Sequence, residues 1–271
     1  MAKEKVLITV KTYPTISSKY KETVCTAGLR QDGSWVRIYP VPFRQLQDDE
    51  KYKKFDWIQV NLERNHQDER AESYRPISEI ERISHVSTRQ DWRERRELIL
   101  NNSKVFHDFA ALIEQNKNTG LSLATFKPAK IIDLLVDEDV RDWDPIKVQA
   151  VKYLANQGDL FKETSKCFNV VRKLPYKFRY HFADINGHER KIMISDWEIG
   201  MLYWNELKRH EGDEQTAIAS VKKKYLEQLV DNRDIHFFMG TTQQWDARNA
   251  PNPFMIIGVF SPPKILQTAL F

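Results

Sequence analysis

Asp184, followed by Glu189-Arg190-Lys191, has the acid and Glu-x-Lys elements of a metal-dependent nuclease. In such a site two carboxylates hold Mg²⁺ and the lysine assists an activated water. The dipeptide Asn186-Gly187 between them signals a tight hairpin turn, so the same residues also read as polar flanks of a turn. A different chemistry is offered by Trp35-Val36-Arg37-Ile38-Tyr39. In a strand, alternation places Trp35, Arg37 and Tyr39 on one face and Val36 and Ile38 on the other. Rings that stack on bases and a guanidinium that pairs with phosphate are what a single-stranded nucleic acid requires. In Tyr176-Lys177-Phe178-Arg179-Tyr180-His181-Phe182 the same period separates an aromatic core face from a basic row of Lys177, Arg179 and His181, extended by Arg172 and Lys173. The competing reading of those strands is an ordinary wet face, where basic residues block edge aggregation.

The elements that must position these groups follow from periodicity. Residues 5–10, Thr23–Leu29 and Ser34–Val41 form a meander, the last two joined by an Asp-Gly turn, and a strand at Phe55–Leu62 completes a first β-rich unit. Residues 63–75 read as an exposed loop. Helical spacing is expected over 89–101 and 103–117, a strand over Phe126–Leu135, and a helix from Pro145 to about residue 156. Strands are then expected at Cys167–Arg172, Tyr176–Asp184 and Glu189–Ile194, with helices at Trp197–Lys208 and Thr216–Val230. The last strands, Ile235–Gly240 and Phe254–Phe260, flank a polar loop carrying Gln243, Gln244 and Trp245. The fold class is α+β, with units at 1–135 and 136–263 and a tail at 264–271.

Charge adds a location. The 271 residues carry a net charge of only +4, yet residues 1–54 and 161–191 are each +5, offset by acidic stretches elsewhere. The excess falls on strands and their connections, as surfaces facing phosphates would require. No apolar run reaches the length of a membrane span, the N-terminal apolar stretch is too short for a secretory signal, and a cytoplasmic protein is expected. Cys25 and Cys167 lie apart and without metal-ligand spacing, so no disulfide framework, metal or cofactor is expected. Asp196 and Glu198 read as N-terminal helix acids, and Gly240-Thr241-Thr242 as an ordinary turn.

Two resemblances sharpen this. Glu22 to Gly28, with Cys25, Ala27 and Gly28, followed by Gly33, Trp35, Val36, Arg37 and Pro40, resembles the opening of dual-OB-domain proteins, over residues 5–45. That resemblance implies an OB-like β-barrel in the first unit, here with helical insertions, and nucleic-acid binding on a strand face. The second unit reads as a β-hairpin with helices. Gln267, Leu270 and Phe271 resemble the Gln-x-x-Leu-Phe peptides that bacterial replication proteins insert into the sliding clamp, and their place beyond Pro262 and Pro263 leaves them accessible. Together they imply a bacterial or phage accessory protein of DNA metabolism or DNA repair, bound to DNA or RNA and recruited to the clamp. The alternatives are a Mg²⁺-dependent nuclease using Asp184, Glu189 and Lys191, and a protein-interaction adaptor that binds no nucleic acid.

Overall fold

The computed structural model describes residues 3–17, 19, 21–48, 50–158, 169–231, 233–246, 248 and 250–265. The tail residues Gln267, Leu270 and Phe271, and Cys167, lie outside the described residues.

The fold is α+β, as the alternation of periods requires. The first sheet contains β1 (Glu4–Lys11), β2 (Thr15–Ser17), β3 (Lys21–Arg30), β4 (Trp35–Val41), β5 (Asp56–Val60), β6 (Leu62–Arg64), β7 (Ser73–Pro76) and β8 (Glu81–His85). Its order is β6-β7-β4-β3-β1-β5-β8, with β2 paired to β3. Register shifts in the β1/β3, β3/β4 and β5/β8 pairings add local twist, as bulges do, and curl the sheet. Val6, Ile8, Val36, Ile38 and Ile58 fill one face of the curl. The stretch 63–75, expected to be loop, overlaps β6 at its start and β7 at its end, and β7 lies parallel to β4.

Helix α1 (Arg89–Arg96) is interrupted at Gln90, Asp91 and Trp92, all with left-handed φ, and continues as a π-helical turn over Glu97–Asn101. The expected helix at 103–117 starts later. Val105–Phe106 is strand β9, and α2 (Phe109–Thr119) begins after Asp108, whose carboxylate accepts the N–H groups of Ala110 and Ala111. Strand β10 (Leu123–Phe126) and strand β11 (Lys130–Glu138) replace the single strand expected at 126–135, with Pro128 between them. After α3 (Pro145–Gly158) the chain forms β12 (Tyr176–Ala183), β13 (Glu189–Met193), α4 (Trp197–Arg209) and α5 (Glu214–Lys222). A π-helical turn over Lys223–Gln228, β14 (His236–Thr241), the short α6 (Gln243–Asp246) and β15 (Phe254–Phe260) follow. The expected strand at Cys167–Arg172 has no counterpart in its described part, 169–172.

The pairing of β10 and β11 with strands after residue 175 places the change of sheet before 135. Strands β15-β14-β10-β9 make the second sheet and β11-β12-β13 a third. Phe238, Ile257 and Phe260 of the second sheet pack on Leu7, Ala27 and Leu29 of the first, so the first sheet is covered on both faces. Helix α4 lies close to the end of β1 because Gly200 has no side chain there. A Cβ at that position would collide with the Tyr13 ring.

Candidate nucleic-acid interface

The outward trio expected on β4 is not a surface. Val36 and Ile38 point into the curl as alternation demands, but the second sheet covers the other face. Arg37 is 2% exposed. Its guanidinium donates to Ser122 Oγ at 2.8 Å and to the Ser122 carbonyl at 3.1 Å, at the start of β10. The Trp35 ring meets Phe238 edge-on at 5.6 Å. Tyr39 is half-buried, its hydroxyl accepting from Thr23. The Trp35-Val36-Arg37 pattern is therefore a packing signature joining two sheets.

The basic row on β12 does face outward, but β11 neutralises it. Lys177 stands opposite Asp137 in the register and pairs with Asp139 at 3.0 Å, and Arg179 pairs with Asp137 at 2.5 Å. Lys173 pairs with the same Asp139 at 2.8 Å, and His181 with Glu189 at 2.8 Å. Arg172 remains exposed, with its guanidinium 3.8 Å from the Trp204 ring centre.

The carboxylate offered for metal chemistry is occupied by backbone. Asp184 is buried and accepts main-chain N–H groups from His188 at 2.9 Å, Asn186 at 3.0 Å and Phe109 at 3.4 Å. Burial alone would raise its pKa, and the donors from His188, Phe109 and Asn186 outweigh it and hold the carboxyl below its usual range. Glu189 is engaged by His181, and Lys191 lies in a groove with Lys177 and Arg179. These three residues form a braced hairpin.

What the fold assembles instead is a cleft of 520 Å³ where the first sheet meets α4 and the π-helical turn. Lys11, Lys53, Arg95, Lys224 and Arg233 line it. Among the described residues none of these five has a carboxylate within ion-pair distance. Lys54, deeper in the wall, does: its amine is 2.7 Å from Asp196 and 2.9 Å from Glu198. Burial works against the charge on Lys54, and those carboxylates overcome it, so its pKa stands above the usual lysine value. Asp196 and Glu198, which read as helix-capping acids, thus also anchor α4 to the first sheet.

Aromatic rings make the floor. Phe55 and Trp92 line the cleft and pack with the buried Phe260, ring centres 5.8–6.3 Å apart, and Trp197 and Tyr225 line it as well. The Arg95 guanidinium lies over Phe55 and over Trp92 at 4.9 Å. It also donates to the Val86 carbonyl at 2.9 Å and meets His85 Nε2 at 3.1 Å. Because arginine only donates, His85 Nε2 accepts there and Nδ1 carries the proton shared with Asp56 at 2.6 Å. Lys11 is held among Phe43, Trp197 and Tyr52, with its amine donating to the Tyr52 carbonyl at 3.2 Å. Burial, then the charge on Lys54, lowers its pKa to about 8.

The backbone is irregular where it borders this cleft. Phe55 and Trp92 have φ of 67° and 63°, in a region that bulky residues avoid. Lys224 and Tyr225 sit on a π-helical turn. Such features cost about 1–3 kcal/mol at each strained residue and cluster at ligand sites.

The fold and cleft define an α+β protein with a cationic, ring-floored groove built from two sequence segments. Residues 102–271 match the family described as Domain of unknown function (DUF8757), and the chain belongs to that family. Residues 2–101 are similar to a second family, Domain of unknown function (DUF8758). No curated protein matches the chain. The two families meet in the stretch between β8 of the first sheet, which ends at His85, and β9 of the second, which begins at Val105, and the cleft needs both: Lys11, Lys53, Trp92 and Arg95 come from the first, Trp197, Lys224 and Arg233 from the second. No helix among the described residues is long and apolar enough to cross a membrane.

Proposed function

We propose that this protein binds a nucleic-acid strand in the cleft, as an accessory factor of bacterial or phage DNA metabolism in the cytoplasm. The observation that carries this reading is the set of five cations, Lys11, Lys53, Arg95, Lys224 and Arg233, without carboxylate partners among the described residues, around an aromatic floor. Phosphates would compensate the charge, and Trp92 and Trp197 offer rings on which bases stack. The curled, bulged N-terminal sheet with its interior core is read as an OB-like barrel, a fold whose strands and loops bind oligonucleotides.

The Gln267, Leu270 and Phe271 pattern supplies a second partner, the sliding clamp. Loss of clamp binding on deletion of 267–271 supports that partner, and retained binding contradicts it. For the cleft, a labelled single-stranded oligonucleotide is titrated by fluorescence anisotropy at rising salt. Five phosphate contacts give a log–log slope of about −3.5 on single strands. Affinity indifferent to salt, or absent binding, favours a protein-interaction adaptor instead.

A further inference from the structure

Helix α4 presents a second ring beyond the cleft. Trp204 lies seven residues after Trp197, about 10 Å along the axis, and lines a separate groove of 590 Å³ with Trp143, Lys152 and Arg172. Arg172 is exposed, stacks on Trp204 at 3.8 Å and has no ion-pair partner among the described residues. The acid beside it, Glu214, is already held by Arg141 at 2.6 Å and by the Tyr176 hydroxyl at 2.6 Å. Asp142 also lines the groove.

The groove is tied rigidly to the cleft. The Trp204 indole N–H donates to the Tyr13 hydroxyl at 2.8 Å, and that hydroxyl donates to the Arg172 carbonyl at 2.8 Å. Tyr13 stands two residues from Lys11, and Gly200 lets α4 lie against it. One helix and the end of β1 therefore form a common wall, with a cation and an indole at each end: Lys11 and Trp197 in the cleft, Arg172 and Trp204 in the groove.

We infer that the groove of Arg172 and Trp204 is a second subsite for the same ligand, which makes that ligand a single-stranded oligonucleotide and not a mononucleotide or free phosphate. Stacked nucleotides advance about 3.4 Å each, so about three separate the two rings and about five fill both subsites. This assignment rests on the nucleic-acid reading of the cleft.

Oligonucleotides of two, four, six and eight residues are titrated against the full chain, its Arg172→Gln variant and its Lys224→Gln variant. Arg172 is exposed and carries its main-chain bond to Tyr13 unaided by the side chain, so the first substitution leaves the fold intact. The expected result is that Arg172→Gln weakens the six- and eight-residue strands about tenfold and leaves the dinucleotide unchanged, whereas Lys224→Gln weakens every length. Equal loss at all lengths, or none at any, with binding otherwise intact, overturns the second subsite alone. Absence of binding by every strand to the unaltered chain overturns the nucleic-acid reading and the subsite with it.

Discussion

The guanidinium of Arg95 lies 3.9 Å from the centre of the Phe55 ring, and Phe55 holds a left-handed backbone at φ 67° to receive it. The strained backbone is pinned on both sides, Phe55 N–H donating to the Ile8 carbonyl at 2.6 Å and Val86 N–H to the Phe55 carbonyl at 2.8 Å. Arg95→Lys keeps the charge and loses the planar stack and the bonds to Val86 and His85. Denaturant unfolding is expected to show a loss of about 1–3 kcal/mol, and anisotropy a several-fold weaker oligonucleotide complex. Unchanged stability and affinity would mean that the stack holds nothing in place.

Arg37 is also a buried cation, but it does not line the cleft and its bonds go to Ser122 and Ser73. Arg37→Met leaves Ser122 without its donors and is expected to destabilise the chain by about 3 kcal/mol, while the affinity of the folded fraction stays unchanged. Desolvation by burial, then the charge of Arg70, lowers the Arg37 pKa, in keeping with a structural group. Intact stability with lost binding would return Arg37 to the ligand surface.

His236 contributes to the acid limb of stability. His236 is buried, with its Nδ1–H donating to the Asp234 carbonyl at 2.8 Å, and burial lowers its pKa to about 4. Between the unfolded value near 6.5 and that folded value the unfolded chain binds more protons. The stabilisation is therefore complete above pH 6.5 and is lost as pH falls toward 4, by about 3 kcal/mol. His236→Gln removes the ionisation, and denaturant midpoints measured across that window are expected to flatten. A variant with the same slope as the parent would assign the loss to other groups.

Lys11 makes binding itself pH-dependent. In the free protein its amine loses a proton as pH rises through about 8. A phosphate beside it favours the charged form, so binding takes up a proton above that pH. Affinity is expected to be flat below pH 7 and to fall above pH 8, by at most about tenfold per unit from this group. Lys11→Met is expected to abolish that fall, and a fall that persists would exclude Lys11 from ligand contact.

Much of the local structure was legible in the residues. The Asp-Gly and Asn-Gly turns, the alternation of Val36 and Ile38, and the helix beginning at Trp197 all stand where their chemistry puts them. The burial of Arg37 was not legible, because the face it occupies is covered by Phe238 and Ile257, some two hundred residues later. Charge counted along the chain could not reveal Asp137 and Asp139, which neutralise Lys177 and Arg179 from the neighbouring strand. The cleft escaped for the same reason: Lys11, Lys53, Arg95, Lys224 and Arg233 come from separate segments that only the fold brings together.

The most direct measurement compares two double variants for their salt-dependent binding of a single-stranded oligonucleotide. Lys224→Gln with Arg233→Gln removes two unpaired cleft cations, and Lys177→Gln with Arg179→Gln removes two paired ones. If the cleft is the interface, the first pair lowers the magnitude of the log–log salt slope by about 1.4 and the second leaves it at the parent value. A slope that drops only for Lys177 and Arg179 would place the ligand on the β12 face and contradict the cleft.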